Sequence, residues 1–289
     1  MPKAAAAAHA ALAGTAGCIV FSHANGFPAS TYRVIFDLWR QAGWQVLAVE
    51  KYGHDPRFPV SSNWPRLRDE LLAFVDQHKP AQPQPQPLVL VLVGHSMGGY
   101  VSLLAASKRP GMASAVVLLD APLVTGWRAH SVHALKLSGL MQRGGPGPVS
   151  ARRRQQWESV AAAQTHFASK RAFAVWDPRV LADYAQHGTA PDPAQGPQAV
   201  RLAFERDVET RIYNTLPHHL GSLLRRHPPG CPVSYVGGTR SPEGRQAGLA
   251  RTRALVQERL RWIEGSHLFP MEQPEATAAA VLGLLAAQG

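Results

Sequence analysis

Residues 88–98 read Leu-Val-Leu-Val-Leu-Val-Gly-His-Ser-Met-Gly, an apolar run that leads directly into a Gly-x-Ser-x-Gly motif. The run predicts a buried strand, and the stretch from Tyr100 to Ala106 predicts a helix after it. Glycines at both ends of the motif permit a sharp turn that exposes the hydroxyl of Ser96 at the end of a sheet. The alternative, a glycine-rich turn with an incidental serine, is disfavoured because the strand and helix that the motif requires are both present.

The composition is typical of one globular α/β domain. The chain has 289 residues, of which 45% are hydrophobic and 17% charged, so it can bury a sizeable core. The net charge is +11, but the basic residues are scattered and only Arg152, Arg153 and Arg154 form a tight run. Because basic and aromatic residues do not interleave, we expect a solvated basic surface and no nucleic-acid partner.

The sequence predicts neither a membrane span nor a disulfide framework. No run of about 18 apolar residues occurs, and Cys18 and Cys231 are the two cysteines. Residues 1–14 are alanine-rich and faintly resemble a signal peptide, but they run straight into an apolar segment that the core needs as a strand. We therefore expect a flexible N-terminus and a cytoplasmic location.

Short apolar runs alternate with helical patterns along most of the chain. This alternation predicts an α/β fold with a mostly parallel sheet and helices on both faces. Helices are predicted near 32–42 and 64–78, the second with Asn63 as its N-cap, and residues 80–87 are expected to form an exposed loop. The predicted strands are Cys18–Phe21, Gln45–Val49, Leu88–Val93, Ala115–Leu119, Val233–Val236 and Leu260–Ile263.

The alternation breaks between residues 124 and 203. This segment contains no convincing strand before Val200 but has helical patterns at 150–168 and 178–187. The second pattern has Asp177 as N-cap, Pro178 at the first helical position and Gly188 just after its end. We predict a helical cap at 124–203, inserted into a core formed by residues 15–123 and 204–289.

The residues around the motif predict nucleophilic catalysis by Ser96. A serine hydroxyl needs a base, and His267 lies in the loop after the last predicted strand, where a base is expected. The oxyanion donors are expected to be the main-chain N–H groups of Met97 and Phe27. The pairs His218/His219 and His130/His133 lack a matching ligand cluster, so no metal site is predicted.

A substrate pocket is predicted beside these groups. Its lining residues are expected to be His23, Asn25, Tyr32 and His95, with Trp127 and Trp176 from the inserted segment. The aromatic residues of that segment favour an apolar or aromatic acyl substrate, although they equally suit the core of a cap. The substrate is expected to be a small molecule.

These motifs together resemble the α/β-hydrolase-fold superfamily. The stretch from His23 to Pro28 resembles its His-Gly-x-Pro oxyanion loop with an insertion, and residues 52–54 resemble its Gly-His-Gly turn. Residues 94–99 match its nucleophile elbow, residues 265–267 resemble its catalytic-histidine loop, and residues 173–178 resemble an uncharacterised bacterial subgroup. The resemblance implies an eight-stranded sheet, a helical cap, and ester or related hydrolysis without a cofactor. The first two strands have little room before Cys18, so a shortened sheet is expected.

The catalytic acid departs from that pattern. The superfamily places it in a Gly-x-x-Asp sequence after the strand at 233–236, whereas residues 237–243 read Gly-Gly-Thr-Arg-Ser-Pro-Glu. Asp120, at the end of the strand at 115–119, is the favoured substitute and Glu243 the alternative; a Ser–His dyad or an inactive site is also open.

The predicted function is a serine hydrolase that forms an acyl-enzyme on Ser96. A C–C or thioester hydrolase with the same residues, or a binding protein that lost the acid, are the alternatives. The serine argues against dehalogenase or epoxide hydrolase chemistry, which needs an aspartate nucleophile. The sequence does not indicate the substrate's identity or an oligomeric state.

Overall fold

The computed structural model describes residues 17–78, 89–124 and 146–287. A six-stranded sheet in the order β2-β1-β3-β4-β8-β9 forms its centre, and every neighbouring pair in it is parallel. A small antiparallel sheet has the order β5-β7-β6. The strands are β1 (Gly17–Ser22), β2 (Gln45–Ala48), β3 (Val89–His95), β4 (Ala115–Leu119), β5 (Gln156–Trp157), β6 (Thr189–Pro191), β7 (Val200–Leu202), β8 (Val233–Gly238) and β9 (Leu260–Ile263).

The six predicted strands and the predicted α/β class are confirmed. Within the described residues the main sheet has two strands fewer than the eight that the resemblance implies. The central strands β1, β4 and β8 are buried along their whole length, which explains why they read as unbroken apolar runs.

Helices cover both faces of the main sheet. The α-helices of the described residues are α1 (Arg33–Gln41), α2 (Pro65–Gln77), α3 (Met97–Lys108), α4 (Pro146–Ala151), α5 (Val160–Ala168), α6 (Pro178–His187), α7 (Arg206–Asn214), α8 (Leu220–Arg226), α9 (Pro242–Ala247), α10 (Ala250–Val256), α11 (Phe269–Glu272) and α12 (Pro274–Ala286). Alternate residues of β3 enter two separate apolar clusters, Val91 and Val93 with α1 and α12, Leu90 and Leu92 with α2 and α3. This alternation follows from the two-residue period of a strand.

The N-cap prediction for α2 is wrong by one residue. Trp64 occupies the cap position, with φ 59°, and Pro65 begins the helix as predicted. The side-chain oxygen of Asn63 instead accepts the main-chain N–H of His218 at 3.2 Å. Asn63 is therefore used to join two distant loops rather than to start the helix.

The inserted segment contains more strand than predicted. The predicted helix at 150–168 is interrupted by β5, because the Ser159 hydroxyl accepts the Ala162 N–H and starts α5 anew at Val160. The prediction that no strand precedes Val200 is wrong, since β5 and β6 flank β7. Helix α6 has the predicted start, with the Asp177 carboxylate accepting the Arg179 N–H at 2.8 Å.

Several predictions fall outside the described residues: the flexible N-terminus at 1–14, the loop at 80–87, Trp127, and the pair His130/His133. None of the described helices has the length and apolar character needed to cross a bilayer.

Candidate active site

A strained turn presents Ser96 between β3 and α3. Its backbone has φ 53° and ψ −114°, a conformation that residues with a side chain rarely adopt. A Cβ atom on Gly94 would lie 2.2 Å from the Gly98 carbonyl oxygen, and one on Gly98 would lie 2.0 Å from the Ser22 carbonyl oxygen. Glycine is therefore required at both positions for strand and helix to approach closely enough to expose the hydroxyl.

The structure brings Ser96, His267 and Asp120 into one hydrogen-bonded chain. His267 Nε2 lies 2.9 Å from Ser96 Oγ, and His267 Nδ1 lies 2.7 Å from Asp120 Oδ2. Because an ionised carboxylate can only accept, Nδ1 carries the proton and Nε2 is free to accept the serine proton. This is the arrangement that nucleophilic activation of a serine requires.

Asp120 is almost fully buried and is held by several donors. Its Oδ1 accepts the Tyr235 hydroxyl at 3.1 Å and the Gly238 N–H at 3.2 Å, while its Oδ2 accepts the Ser241 hydroxyl. Burial alone would raise the pKa of Asp120, but the hydrogen bonds and charge of His267, with those of Ser241 and Gly238, outweigh it and lower the pKa. The carboxylate is thus kept ionised although only 1% of the residue is exposed.

The electrostatics of His267 are set by two carboxylates. Burial opposes its protonation, but the hydrogen bond that it donates to Asp120 and the charges of Glu243 and Asp120 leave its pKa raised above the usual value. Glu243 Oε2 lies 3.7 Å from His267 Nδ1, so the alternative acid also faces the imidazole. Asp120 lies within hydrogen-bonding distance of His267 Nδ1, whereas Glu243 lies beyond it.

Donor atoms of Asp120, Glu243 and His267 all lie within 4.8 Å of one another, close enough to surround a cation. However, His267 Nδ1 and Asp120 Oδ2 are hydrogen-bonded to each other, so a metal would have to displace the proton between them. The residues therefore suit a proton relay better than a metal centre. His218 and His219 lie side by side, with ring centroids 5.9 Å apart, and belong to no three-ligand group among the described residues.

One of the two predicted oxyanion donors is already engaged. Met97 begins α3 directly after Ser96, so its N–H is one of the unpaired amides of a helix start. The Phe27 N–H, in contrast, donates to the Ala24 carbonyl at 3.2 Å within the loop turn. The main-chain N–H of Asn25 forms no hydrogen bond with the described residues, and Asn25 lies on the wall of the cleft.

A cleft of about 320 Å³ opens at Ser96 and His267. Its walls comprise Ala24, Asn25, Phe27, Ser96, Tyr213, Pro242, Glu243, Ser266, His267 and Leu268. Among the predicted lining residues, the structure therefore places Asn25 on the wall. Three wall residues were not predicted: Ser266 and Leu268, which their position beside His267 could have indicated, and Tyr213, for which the sequence gives no signal.

His23, Tyr32 and His95 do not line the cleft, in contrast to the prediction. All three are buried behind it and hold the loops that form it. His95 Nε2 donates to the His267 carbonyl at 2.9 Å and its Nδ1 accepts the Tyr32 hydroxyl at 2.8 Å. His23 Nδ1 donates to the Ala24 carbonyl at 2.8 Å and its Nε2 accepts the Tyr52 N–H at 3.0 Å.

Burial keeps both histidines neutral. Loss of hydration lowers the pKa of His95 to about 3 and that of His23 to about 4. Each ring therefore has one donor and one acceptor nitrogen, which is what its two partners require. The two rings hold main-chain atoms of Ala24, Tyr52 and His267 in place.

Trp176 also lies away from the cleft wall. Its ring packs against Phe27, Phe173 and Tyr184, with centroid distances of 5.6, 4.7 and 5.7 Å. Trp176, Phe173 and Tyr184 therefore pack together as the core of the described part of this segment, which is the alternative that the sequence left open. Their contact with Phe27 joins this core to the loop that follows β1.

Comparison with known proteins identifies a family for this chain. A family model described as "Alpha/beta hydrolase family" matches residues 19–280. The sequence matches no curated protein.

Many solved structures share the fold. E-2-(acetamidomethylene)succinate hydrolase is 20% identical with a TM-score of 0.70, covering 94% of this chain and 92% of that chain. The thioesterase domain from the curacin biosynthetic pathway is 20% identical with a TM-score of 0.67, covering 92% and 91%. MenH from S. aureus is 14% identical with a TM-score of 0.61, covering 95% of each. At these identities the likeness shows the fold and confirms the predicted fold class.

Proposed function

The chain belongs to the alpha/beta hydrolase family, and on that premise we propose that it is a serine hydrolase cleaving an ester or related acyl bond. The single observation that supports this proposal best is the hydrogen-bonded chain Ser96–His267–Asp120 at the strained turn. A serine, a histidine and an ionised carboxylate in this order form the arrangement that activates a hydroxyl for attack on a carbonyl.

The proposed reaction has two steps. His267 Nε2 takes the Ser96 proton as Oγ attacks the substrate carbonyl, and then returns a proton to the leaving group, which departs from the acyl-enzyme. Water then repeats the sequence: His267 removes its proton, the oxygen attacks the acyl carbon, and the Ser96 oxygen leaves with a proton from His267. Asp120 holds the imidazole in the required tautomer and stabilises its cationic form.

The oxyanion donors in this proposal are the main-chain N–H groups of Met97 and Asn25. Met97 keeps the predicted role because its amide lies at the start of α3. Asn25 replaces Phe27, since the Phe27 N–H donates to the Ala24 carbonyl. Preorganised amides of this kind stabilise the developing negative charge without having to reorient during the reaction.

The substrate class in this proposal is a small molecule with a neutral acyl group. The cleft at Ser96 holds about 320 Å³, and its apolar walls come from Phe27, Pro242 and Leu268. A thioester or C–C bond would use the same residues, so those hydrolases are the second candidates. The binding-protein alternative is disfavoured because Asp120 supplies the acid that the sequence pattern lacks.

The proposal also includes four predictions from the sequence: a cap formed by 124–203, a cytoplasmic location, no cofactor, and no nucleic-acid partner. The mechanism above uses only protein groups and water. It therefore works without a cofactor.

A fluorophosphonate probe tests the proposal. The wild-type protein should be labelled on Ser96, and Ser96→Ala should abolish labelling. Ser102→Ala, which changes a buried serine in the same helix, is the matched control and should label normally. An unlabelled wild type, or labelling that persists in Ser96→Ala, would refute the proposal. A panel of p-nitrophenyl esters and thioesters of increasing acyl length would then identify the substrate class.

A further inference from the structure

Two carboxylates face the same nitrogen of His267. Asp120 Oδ2 lies 2.7 Å from Nδ1, and Glu243 Oε2 lies 3.7 Å from it. They approach from different elements, Asp120 from the end of β4 and Glu243 from the first turn of α9. A triad needs a single acid, so the second carboxylate requires an explanation.

The Ser241 hydroxyl lies between these two carboxylates. It donates to Asp120 Oδ2 and lies 3.1 Å from Glu243 Oε2. A hydroxyl has one proton, so Ser241 can donate to one carboxylate at a time. Asp120 and Glu243 are therefore linked through Ser241 as well as through His267.

Glu243 has no basic side chain paired with it among the described residues other than His267. Arginines are close in sequence, but Arg240 pairs with Glu264 and Glu272 instead. Glu243 is 42% exposed in its side chain and lies on the cleft wall. In a chain with a net charge of +11, a partly exposed glutamate is expected to pair with an arginine or lysine at the surface. Glu243 instead faces the proposed catalytic histidine.

We propose that Glu243 is a second positioning carboxylate for His267, which supplements Asp120 and partly replaces it when Asp120 is lost. This inference rests on the proposed function. Because Glu243 lies beyond hydrogen-bonding distance of Nδ1, its role in the intact protein is electrostatic. When the Asp120 charge is absent, a rotation of the partly exposed Glu243 side chain that moves Oε2 by about 1 Å would bring this oxygen into hydrogen-bonding contact with His267 Nδ1.

The groups around His267 determine the expected pH effect. Asp120 and Glu243 supply negative charge, and His95, 5.2 Å away between ring centroids, is held neutral by burial. Tyr213 also borders the cleft, and burial raises its pKa so that it stays uncharged. Glu243 therefore favours the protonated form of His267, in the same direction as Asp120.

The first test measures the rate of fluorophosphonate labelling of Ser96 against pH. Glu243→Gln should shift the acid limb of this profile to lower pH by about half to one unit, because a charge at this distance is screened by solvent. Labelling at the plateau should fall by about threefold or less. Glu264→Gln removes an equally negative but more exposed carboxylate, 82% exposed and paired with Arg240, and should leave the profile in place.

The second test is a double-mutant cycle with Asp120→Asn. Asp120→Asn alone should lose about 10²–10³ in rate, less than the roughly 10⁴ expected for a triad with one acid. Glu243→Gln should cost at least about a further tenfold in that background, which is more than it costs in the wild type. Thermal unfolding should show all variants folded.

The outcomes separate this inference from the proposed function. If the wild type is not labelled on Ser96, the proposed function fails. If the wild type is labelled but Glu243→Gln leaves the pH profile unshifted and has the same small effect in both backgrounds, then Glu243 is an ordinary surface residue and the inference is overturned. A shifted profile together with a non-additive cycle supports it.

Discussion

Removal of the Tyr32 hydroxyl should damage stability and activity together. This hydroxyl accepts the Ala24 N–H at 3.1 Å and donates to His95 Nδ1 at 2.8 Å. His95 in turn donates to the carbonyl of His267. One oxygen atom therefore connects the loop after β1, which is the proposed oxyanion loop, with the loop that carries the proposed base.

The expected loss of stability follows from the two groups that Tyr32→Phe leaves without a hydrogen-bond partner, the Ala24 N–H and His95 Nδ1. Tyr32 and His95 are fully buried, and the space of one missing oxygen is too small to admit water freely. Each unsatisfied buried group costs about 1–3 kcal/mol, so two of them should lower the free energy of unfolding by about 2–6 kcal/mol. Activity should fall by at least about tenfold, because small displacements of catalytic groups are expensive.

Urea unfolding and the rate of Ser96 labelling measure the two effects. Tyr52→Phe is the matched control, since the Tyr52 hydroxyl pairs with Ser22 Oγ at 2.8 Å, at the end of β1, and forms no hydrogen bond to either loop among the described residues. It should cost about 1–2 kcal/mol and alter the labelling rate by about twofold at most. The reasoning is refuted if Tyr32→Phe is no less stable than Tyr52→Phe, or if it is less stable but labels at the wild-type rate.

Three other perturbations have defined outcomes. Ser96→Ala and His267→Ala should each lower kcat for ester hydrolysis by about 10⁶, and the double variant should be little worse than either. Losses that multiply in the double variant would contradict a single catalytic unit. Gly98→Ala should prevent native folding, since the new Cβ would lie 2.0 Å from a strand carbonyl, and a circular dichroism melt like that of wild type would contradict this. The folded-state pKa values of His95 and His23, about 3 and about 4, lie below the unfolded value of 6.5, so the unfolded chain binds more protons. Unfolding free energy should therefore fall as pH drops below 6.5, by about 1.4 kcal/mol per unit for each histidine, and equal values at pH 7 and pH 5 would contradict it.

The sheet and its turn were predictable because their signals are local. Buried parallel strands read as continuous valine and leucine runs, and the run at 88–93 ends in the glycines that the elbow needs. The position of His267 followed from the same logic, since it lies directly after the last strand. Each of these predictions needs only the residues on either side of the feature.

The acid was not predictable in the same way. Asp120 and His267 are separated by 147 positions, and their contact depends on the strand order, in which β4 lies beside both β3 and β8. The sequence alone does not give the distance of either carboxylate, Asp120 or Glu243, from His267. The position of Asp120 at the end of a core strand favoured it, with Glu243 as the alternative, and in the structure both face His267, at 2.7 and 3.7 Å.

The predictions for His23, Tyr32 and His95 failed because proximity in sequence does not indicate direction. His95 is the last residue of β3, whereas Ser96 forms the strained turn that follows it, so the two side chains point in different directions. The Ser96 hydroxyl faces the cleft, and the His95 ring is buried against Tyr32. A polar side chain that neighbours a proposed catalytic residue in sequence can therefore hold the loops of the site together instead of lining the cleft.

The loop after β8 shows how the acid could move without loss of its surroundings. Register pairs Leu119 with Val236, and the Asp120 N–H donates to the Val236 carbonyl at 2.8 Å, so Asp120 lies beside the turn where the resemblance expects the acid. In that turn Ser241 stands at the aspartate position of the Gly-x-x-Asp pattern. Its hydroxyl donates to Asp120, as does the Gly238 N–H. Where the resemblance expects a residue that accepts from His267, this chain has one that donates to the carboxylate of the neighbouring strand, so the turn still holds the carboxylate that faces His267.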